Sequence, residues 1–147
     1  RQMCIRDRIY SVQGDDFKAL DYFKKSLKIV LSVYGENHSQ VSSIYDHIGE
    51  IYFAQKDYSK ALYYFEESLK IRLSLFGENH PEVALSYYSI GSLYIIQGDK
   101  SKALNYYEKS LKIRLSVYGE NHPLTKEIMD LINVANSKVL QSPETTK

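Results

Sequence analysis

The chain has 147 residues and a mass of 17.1 kDa, the size of one small domain or of a piece of a larger protein. Lys and Arg number 19 against 18 Asp and Glu, and a formal charge of +1 argues against a strongly basic nucleic-acid binder. No apolar run is long enough to span a membrane, no basic start precedes an apolar stretch as in a secretory signal, and the single cysteine, Cys4, cannot form an internal disulfide, so a reducing, cytoplasmic setting is expected.

In chain order, the apolar periodicity predicts a partial helix near 5–13, then helices near 16–34, 40–55, 58–76, 81–97, 100–118 and 123–140. The connections are a few residues long, so successive helices should lie antiparallel. No strand pattern competes. In the unit from Pro81 to His122, Val83, Tyr87, Ile90, Gly91 and Tyr94 fall at helical spacing, and Pro81 suits a first helical turn. Gln97-Gly98-Asp99 then breaks the helix, with Asp99 placed to cap the next one. Ala103, Leu104, Tyr107, Leu111 and Leu115 form the second stripe, and Gly119 supplies the left-handed stop.

The pattern repeats. Gly35-Glu36-Asn37-His38 returns as Gly77-Glu78-Asn79-His80 and as Gly119-Glu120-Asn121-His122, an offset of 42 residues each time. The same offset superimposes Asp15, Asp57 and Asp99, and Ser26-Leu27-Lys28-Ile29 on Ser68-Leu69-Lys70-Ile71 and Ser110-Leu111-Lys112-Ile113. A period of this size marks a stacked repeat, in which no unit can bury its apolar stripe alone.

The run Tyr87-x-x-Ile90-Gly91-x-x-Tyr94 followed by Ala103-x-x-x-Tyr107, and its copy Tyr45-x-x-Ile48-Gly49-x-x-Tyr52 followed by Ala61-x-x-x-Phe65, resembles the tetratricopeptide signature. The 42-residue period and the Gly-Glu-Asn-His-Pro linker at 77–81 and 119–123 look like the kinesin-light-chain and nephrocystin-like type of this repeat. The resemblance implies an all-α, right-handed α-solenoid of antiparallel helix pairs, with about three repeats and a C-terminal capping helix. The expected organisation is a repeat domain over 9–137, with units of about 14–55, 56–97 and 98–137, and a helix end and polar tail at 138–147. Residues 1–8 depart from the repeat: Arg6 and Asp7 take the places of Ile48 and Gly49, and Gln2 to Arg8 looks like translated adapter sequence. This leader is expected to be non-native or diverged. In the last helix, Asn133 and Asn136 replace Gly91 and Tyr94, as a terminal cap requires.

No catalytic constellation is evident. His38, His80 and His122 recur one per unit and are read as linker or capping residues; no His pair has zinc-ligand spacing. Gly35, Gly77 and Gly119 follow helices, whereas phosphate loops precede them. No cofactor or metal is expected. The repeated aromatics Tyr22, Tyr64 and Tyr106, Phe23, Phe65 and Tyr107, and Tyr34, Phe76 and Tyr118 are read as core between repeats.

The family resemblance implies a concave groove lined by the first helix of each pair. Its offsets fall on Ser43, Asp46, His47, Glu50 and Phe53, then on Leu85, Tyr88, Ser89, Ser92 and Ile95, and finally on Glu127, Asp130 and Val134. Kinesin light chains tend to carry Asn pairs where this chain has Asp46-His47 and Tyr88-Ser89, and they take peptides rich in acidic and aromatic groups. Here the groove carries carboxylates and few cations, so the expected ligand is a protein or peptide segment with basic and apolar residues. The expected function is a non-catalytic protein-protein interaction scaffold, not a nucleic-acid or membrane binder. The alternatives are a self-assembling structural module and the regulatory repeat domain of a multidomain enzyme. An apolar N-terminal edge near Ile9, Leu20 and Phe23 is expected to self-associate if the first helix is truncated.

Overall fold

The structure, a computed structural model, describes residues 15–137. The leader at 1–8, the partial helix near 5–13, Cys4, Ile9 and the tail from 138 onward lie outside the described residues. Within them the chain forms six α-helices: α1 (Asp16–Tyr34), α2 (Ser39–Ala54), α3 (Tyr58–Phe76), α4 (Pro81–Ile96), α5 (Lys100–Tyr118) and α6 (Pro123–Ser137). The predicted spans agree to within a residue wherever both ends are described.

Local chemistry explains the sharp boundaries. Asp15, Asp57 and Asp99 each accept the backbone N–H of the residue three further on, at 3.3, 3.3 and 3.2 Å. Each such cap is worth about 1 kcal/mol. Gly35, Gly77 and Gly119 end α1, α3 and α5 with φ of +79°, +78° and +82°, a region that a side chain resists. The joint between the helices of a pair also uses a positive φ. Gly98 has φ +80°, and its counterpart Lys56 is held at φ +61° without glycine's freedom.

The chain divides at Leu75 and Phe76 into two compact units. In the first, Ala19 and Phe23 of α1 join a core with Val41, Ile48 and Ile51 of α2 and Ala61 and Phe65 of α3. Lys60, near the start of α3, lies over the ring of Tyr52, near the end of α2. Ser68, further along α3, donates to the carbonyl of Ser42 near the start of α2, at 3.0 Å, so the two helices run antiparallel.

The second unit repeats this arrangement. Lys102 lies over Tyr94, and Ser110 donates to the carbonyl of Ala84 at 2.8 Å. Its core is Val83, Ala84, Ile90 and Leu93 of α4, Ala103, Tyr107 and Ile113 of α5, and Ile128 and Ala135 of α6. Asn133 and Asn136 are exposed on α6, as the capping expectation requires.

The signature glycines mark the closest helix contacts. A Cβ on Gly91 would stand 2.7 Å from the Tyr107 ring and 3.2 Å from the Ala103 carbonyl; on Gly49 it would stand 2.7 Å from the Phe65 ring. Only a missing side chain lets an aromatic ring come this close to the facing backbone.

One aromatic set departs from the expectation. Phe23, Phe65 and Tyr107 are buried core, but Tyr34 is 53% and Phe76 38% exposed. These rings and Tyr118 stack on the linker histidines instead: Tyr34 on His38, Phe76 on His80 and Tyr118 on His122, at 4.2, 4.2 and 4.3 Å between centroids. The rings close the four-residue linker on itself, leaving the inter-helix core to the other aromatics.

Candidate functional site

The linker histidines have a structural role. Nδ1 of His38, His80 and His122 accepts the N–H of Gln40, Glu82 and Leu124, each at 3.1 Å, capping α2, α4 and α6. A ring that caps with one nitrogen and stacks with one face is a fixed part of the turn. Among the described residues, no three His, Cys, Asp or Glu side chains converge as a metal site would need.

The groove residues expected from sequence fall on α2, α4 and α6. In the first unit, Asp46 is mostly buried and pairs with Arg72 of α3 at 2.6 Å. Burial lifts its carboxyl above the usual value, with Glu50 adding a little, while Arg72 and the Ser68 hydroxyl pull it back. His47 stacks on Phe23 of α1 at 4.9 Å, and the exposed Glu50 lies 3.6 Å from His47 Nδ1. Phe53, half-buried, meets the edge of Tyr58 at 5.7 Å.

In the second unit, Leu85 is 42% exposed and Ile95 is half-buried. The Ser89 hydroxyl donates back to the Leu85 carbonyl at 3.1 Å, so it serves its own helix. Ser92 and the Tyr107 hydroxyl share a hydrogen bond of 3.0 Å. Tyr88 lies against the Arg114 guanidinium, 5.3 Å from ring centroid to charge. Arg114 also reaches Glu127 of α6 at 3.8 Å and donates to the Leu124 carbonyl at 2.9 Å. The Tyr88 hydroxyl is held above its usual value, first by burial and then by Glu127, with Arg114 and Ser92 opposing. Asp130 is exposed on α6. The structure thus brings Tyr88, Ser92 and Glu127 into one connected cluster and leaves Leu85 and Asp130 at the surface.

Arg72 and Arg114, 3% and 4% exposed, are the residues that sequence reasoning missed. The first helices alone carry few cations on this face; the cations come from the second helices, buried beneath it. The signal was present, since Ile71-Arg72-Leu73-Ser74 returns 42 residues later as Ile113-Arg114-Leu115-Ser116. A charged residue repeated inside an apolar stripe asks for a buried partner.

Paired helices, ring-against-glycine contacts and capped linkers define a helix-pair repeat protein. The tetratricopeptide repeat family matches residues 8–74 and again 47–116, and the chain belongs to that family. Among solved structures it is similar to BtubC (BKLC) from P. vanneervenii, with a TM-score of 0.73 and 21% identity over 92% of this chain and 62% of that one. It is also similar to a Podosopora anserina protein described as a kinesin light chain with nearly identical TPR-like repeats, with a TM-score of 0.79 and 18% identity over 91% and 65%. The N-terminal domain of stress-induced protein-1 (STI-1) from C. elegans aligns with a TM-score of 0.58 and 19% identity over 85% and 87%. No curated protein matches the sequence. The chain spans less than two thirds of the length of the first two structures, and its fold is of the kinesin-light-chain-like type that the 42-residue period implies. No described helix is long and apolar enough to cross a membrane.

Proposed function

We propose that this chain is a non-catalytic interaction scaffold, binding a partner segment on the face carried by the first helices of its repeats: α2 in the first unit, and α4 with α6 in the second. Tetratricopeptide repeats generally mediate protein-protein contacts, and the chain's membership of that family supports the class. The observation that carries the choice of face is the Tyr88–Arg114–Glu127 cluster. It is an aromatic ring ordered by a buried guanidinium and a carboxylate, on the same helix as the exposed Leu85. A rigid half-buried tyrosine flanked by exposed apolar surface is the usual composition of a binding anchor.

The charges favour a partner with basic and apolar residues. Glu50 and Asp130 are exposed, and the cations of this face lie buried beneath it, where they neutralise Asp46 and approach Glu127. In this reading the repeat domain over 9–137 supplies the binding faces, each unit presenting its own, in a cytoplasmic setting. Matched basic-apolar and acidic peptide libraries test it, with Tyr88→Ala and Glu50→Lys as controls. A preference for basic peptides, weakened by both substitutions, is expected; a clear preference for acidic peptides contradicts it.

Self-association is a second reading favoured by α1. Ile29 and Val33 are each 65% exposed, although Ile113, the counterpart of Ile29, is 5% exposed. Phe23 is buried and Leu20 half-buried, so the exposed apolar pair one turn apart on this helix is Ile29 and Val33. Sedimentation that depends on concentration, and that Ile29→Lys abolishes, supports this reading; a monomer at every concentration rejects it.

A further inference from the structure

The two units carry opposite charges at one equivalent place. In the second, the ammonium of Lys109 lies over two tyrosine rings, 5.5 Å from the centroid of Tyr87 and 5.4 Å from that of Tyr106. The rings stand 6.0 Å apart at 41°. In the first unit the same ring pair exists, formed by Tyr45 and Tyr64 at 5.7 Å and 48°. The residue 42 positions before Lys109 is Glu67, so the chain supplies a carboxylate where its repeat supplies a cation. There a cavity of about 360 Å³ opens, lined by Glu36, Asn37, Tyr45, Tyr63, Glu67 and Lys70 among others. Tyr63 replaces Asn105 and adds a third aromatic ring, 5.2 Å from Tyr64 and edge-on to it.

We infer that this cavity is a binding site for the ammonium group of a lysine side chain on a partner protein, seated where Lys109 sits in the following repeat. An aromatic face attracts a cation within roughly 6 Å of its centroid, and more strongly where water is excluded. Two carboxylates against one ammonium, Lys70, leave the lining one positive charge short. Tyr45 registers that field: its hydroxyl is held above the usual value by burial first, then by Tyr63, Glu67 and Glu36. The counterparts of Asn37 and Ser74, which both line the cavity, are joined in the second unit by a 3.3 Å hydrogen bond from Asn79 to Ser116. None of the cavity residues belongs to the face proposed above, and the inference holds independently of that reading.

The test uses the full chain and two probes, Nα-acetyl-lysine methylamide and the same molecule with its Nε acetylated and neutral. Aromatic-ring NMR shifts of Tyr45 and Tyr63 report binding. Saturable shifts are expected with the charged probe, and binding at least about tenfold weaker with the neutral one. Glu67→Lys supplies the chain's own cation and should abolish binding. Lys70→Gln removes a competing charge and should tighten it, and a thermal melt checks that each variant is folded. Equal shifts with both probes, no saturable shift with either, or full binding by folded Glu67→Lys would overturn the inference. In the reciprocal direction, Lys109→Glu should create charged-probe shifts at Tyr87; their absence in a folded variant also counts against it.

Discussion

The imidazole of His80 lies on the ring of Phe76, 4.2 Å between centroids and 13° from parallel, while its Nδ1 accepts the N–H of Glu82. One side chain thereby ends one helix pair and starts the next. His80→Ala removes both interactions and should cost about 1–3 kcal/mol, the sum of a helix cap and a ring contact. His80→Asn keeps a capping oxygen and should recover roughly half of that loss. Urea denaturation of the two variants checks it; an equal loss for both would mean that the cap contributes nothing.

Gly91 faces Tyr107 with no room for a methyl group. Alanine gains about 1 kcal/mol of helix propensity, whereas overpacking a closed core costs about 1–3 kcal/mol, so Gly91→Ala should be neutral to destabilising, by up to about 2 kcal/mol. The double variant Gly91→Ala with Tyr107→Leu should be less impaired than the sum of its parts, as thermal melts of all three proteins would report.

Lys56 holds the left-handed conformation that Gly98 adopts in the next repeat. Lys56→Gly should raise stability by roughly 0.5–1 kcal/mol, because the strain of the side chain outweighs the extra entropy of glycine. A lower melting temperature would contradict it.

Arg72 and Asp46 are buried together. Arg72→Met leaves a carboxylate without its cation and should cost about 3–5 kcal/mol. Adding Asp46→Asn should restore much of it, and the coupling energy of the double-mutant cycle measures the pair.

The tyrosines Tyr45, Tyr64, Tyr87, Tyr88 and Tyr107 all have hydroxyls held above the usual value, with burial as the first cause. In the unfolded chain they lose their protons first as pH rises past about 10. The folded state then binds more protons than the unfolded one, so stability falls from that pH upward through the folded values; below it these groups leave stability unchanged. Urea midpoints between about pH 8 and about pH 11 should stay level and then drop, and Tyr107→Phe should soften the drop. A midpoint that rises with pH in that window would contradict it.

The repeat, the helix boundaries and the caps were legible because they are local: a carboxylate three residues before an amide, a glycine at a left-handed stop, a period of 3.6 within a period of 42. The kinesin-light-chain-like type was legible from that longer period. The roles of Tyr34, Phe76 and Tyr118 were not, because stacking on a linker histidine leaves the same helical spacing as core packing. The pairing of Arg72 and Arg114 was not legible either, because their partners Asp46 and Glu127 lie 26 and 13 residues away, on other helices. The unlike pair Glu67 and Lys109 was visible in the alignment, but its consequence depends on where two tyrosine rings stand.

Backbone NMR shifts, mapped on titration with the tightest basic-apolar peptide, decide whether partner segments bind on the first-helix faces. Saturable shifts at Leu85 and Tyr88 of α4 and Asp130 of α6, lost in Tyr88→Ala, are the predicted result for the second unit, and shifts at His47 and Glu50 of α2, lost in Glu50→Lys, for the first. Saturable binding that leaves every one of those residues unmoved would contradict it.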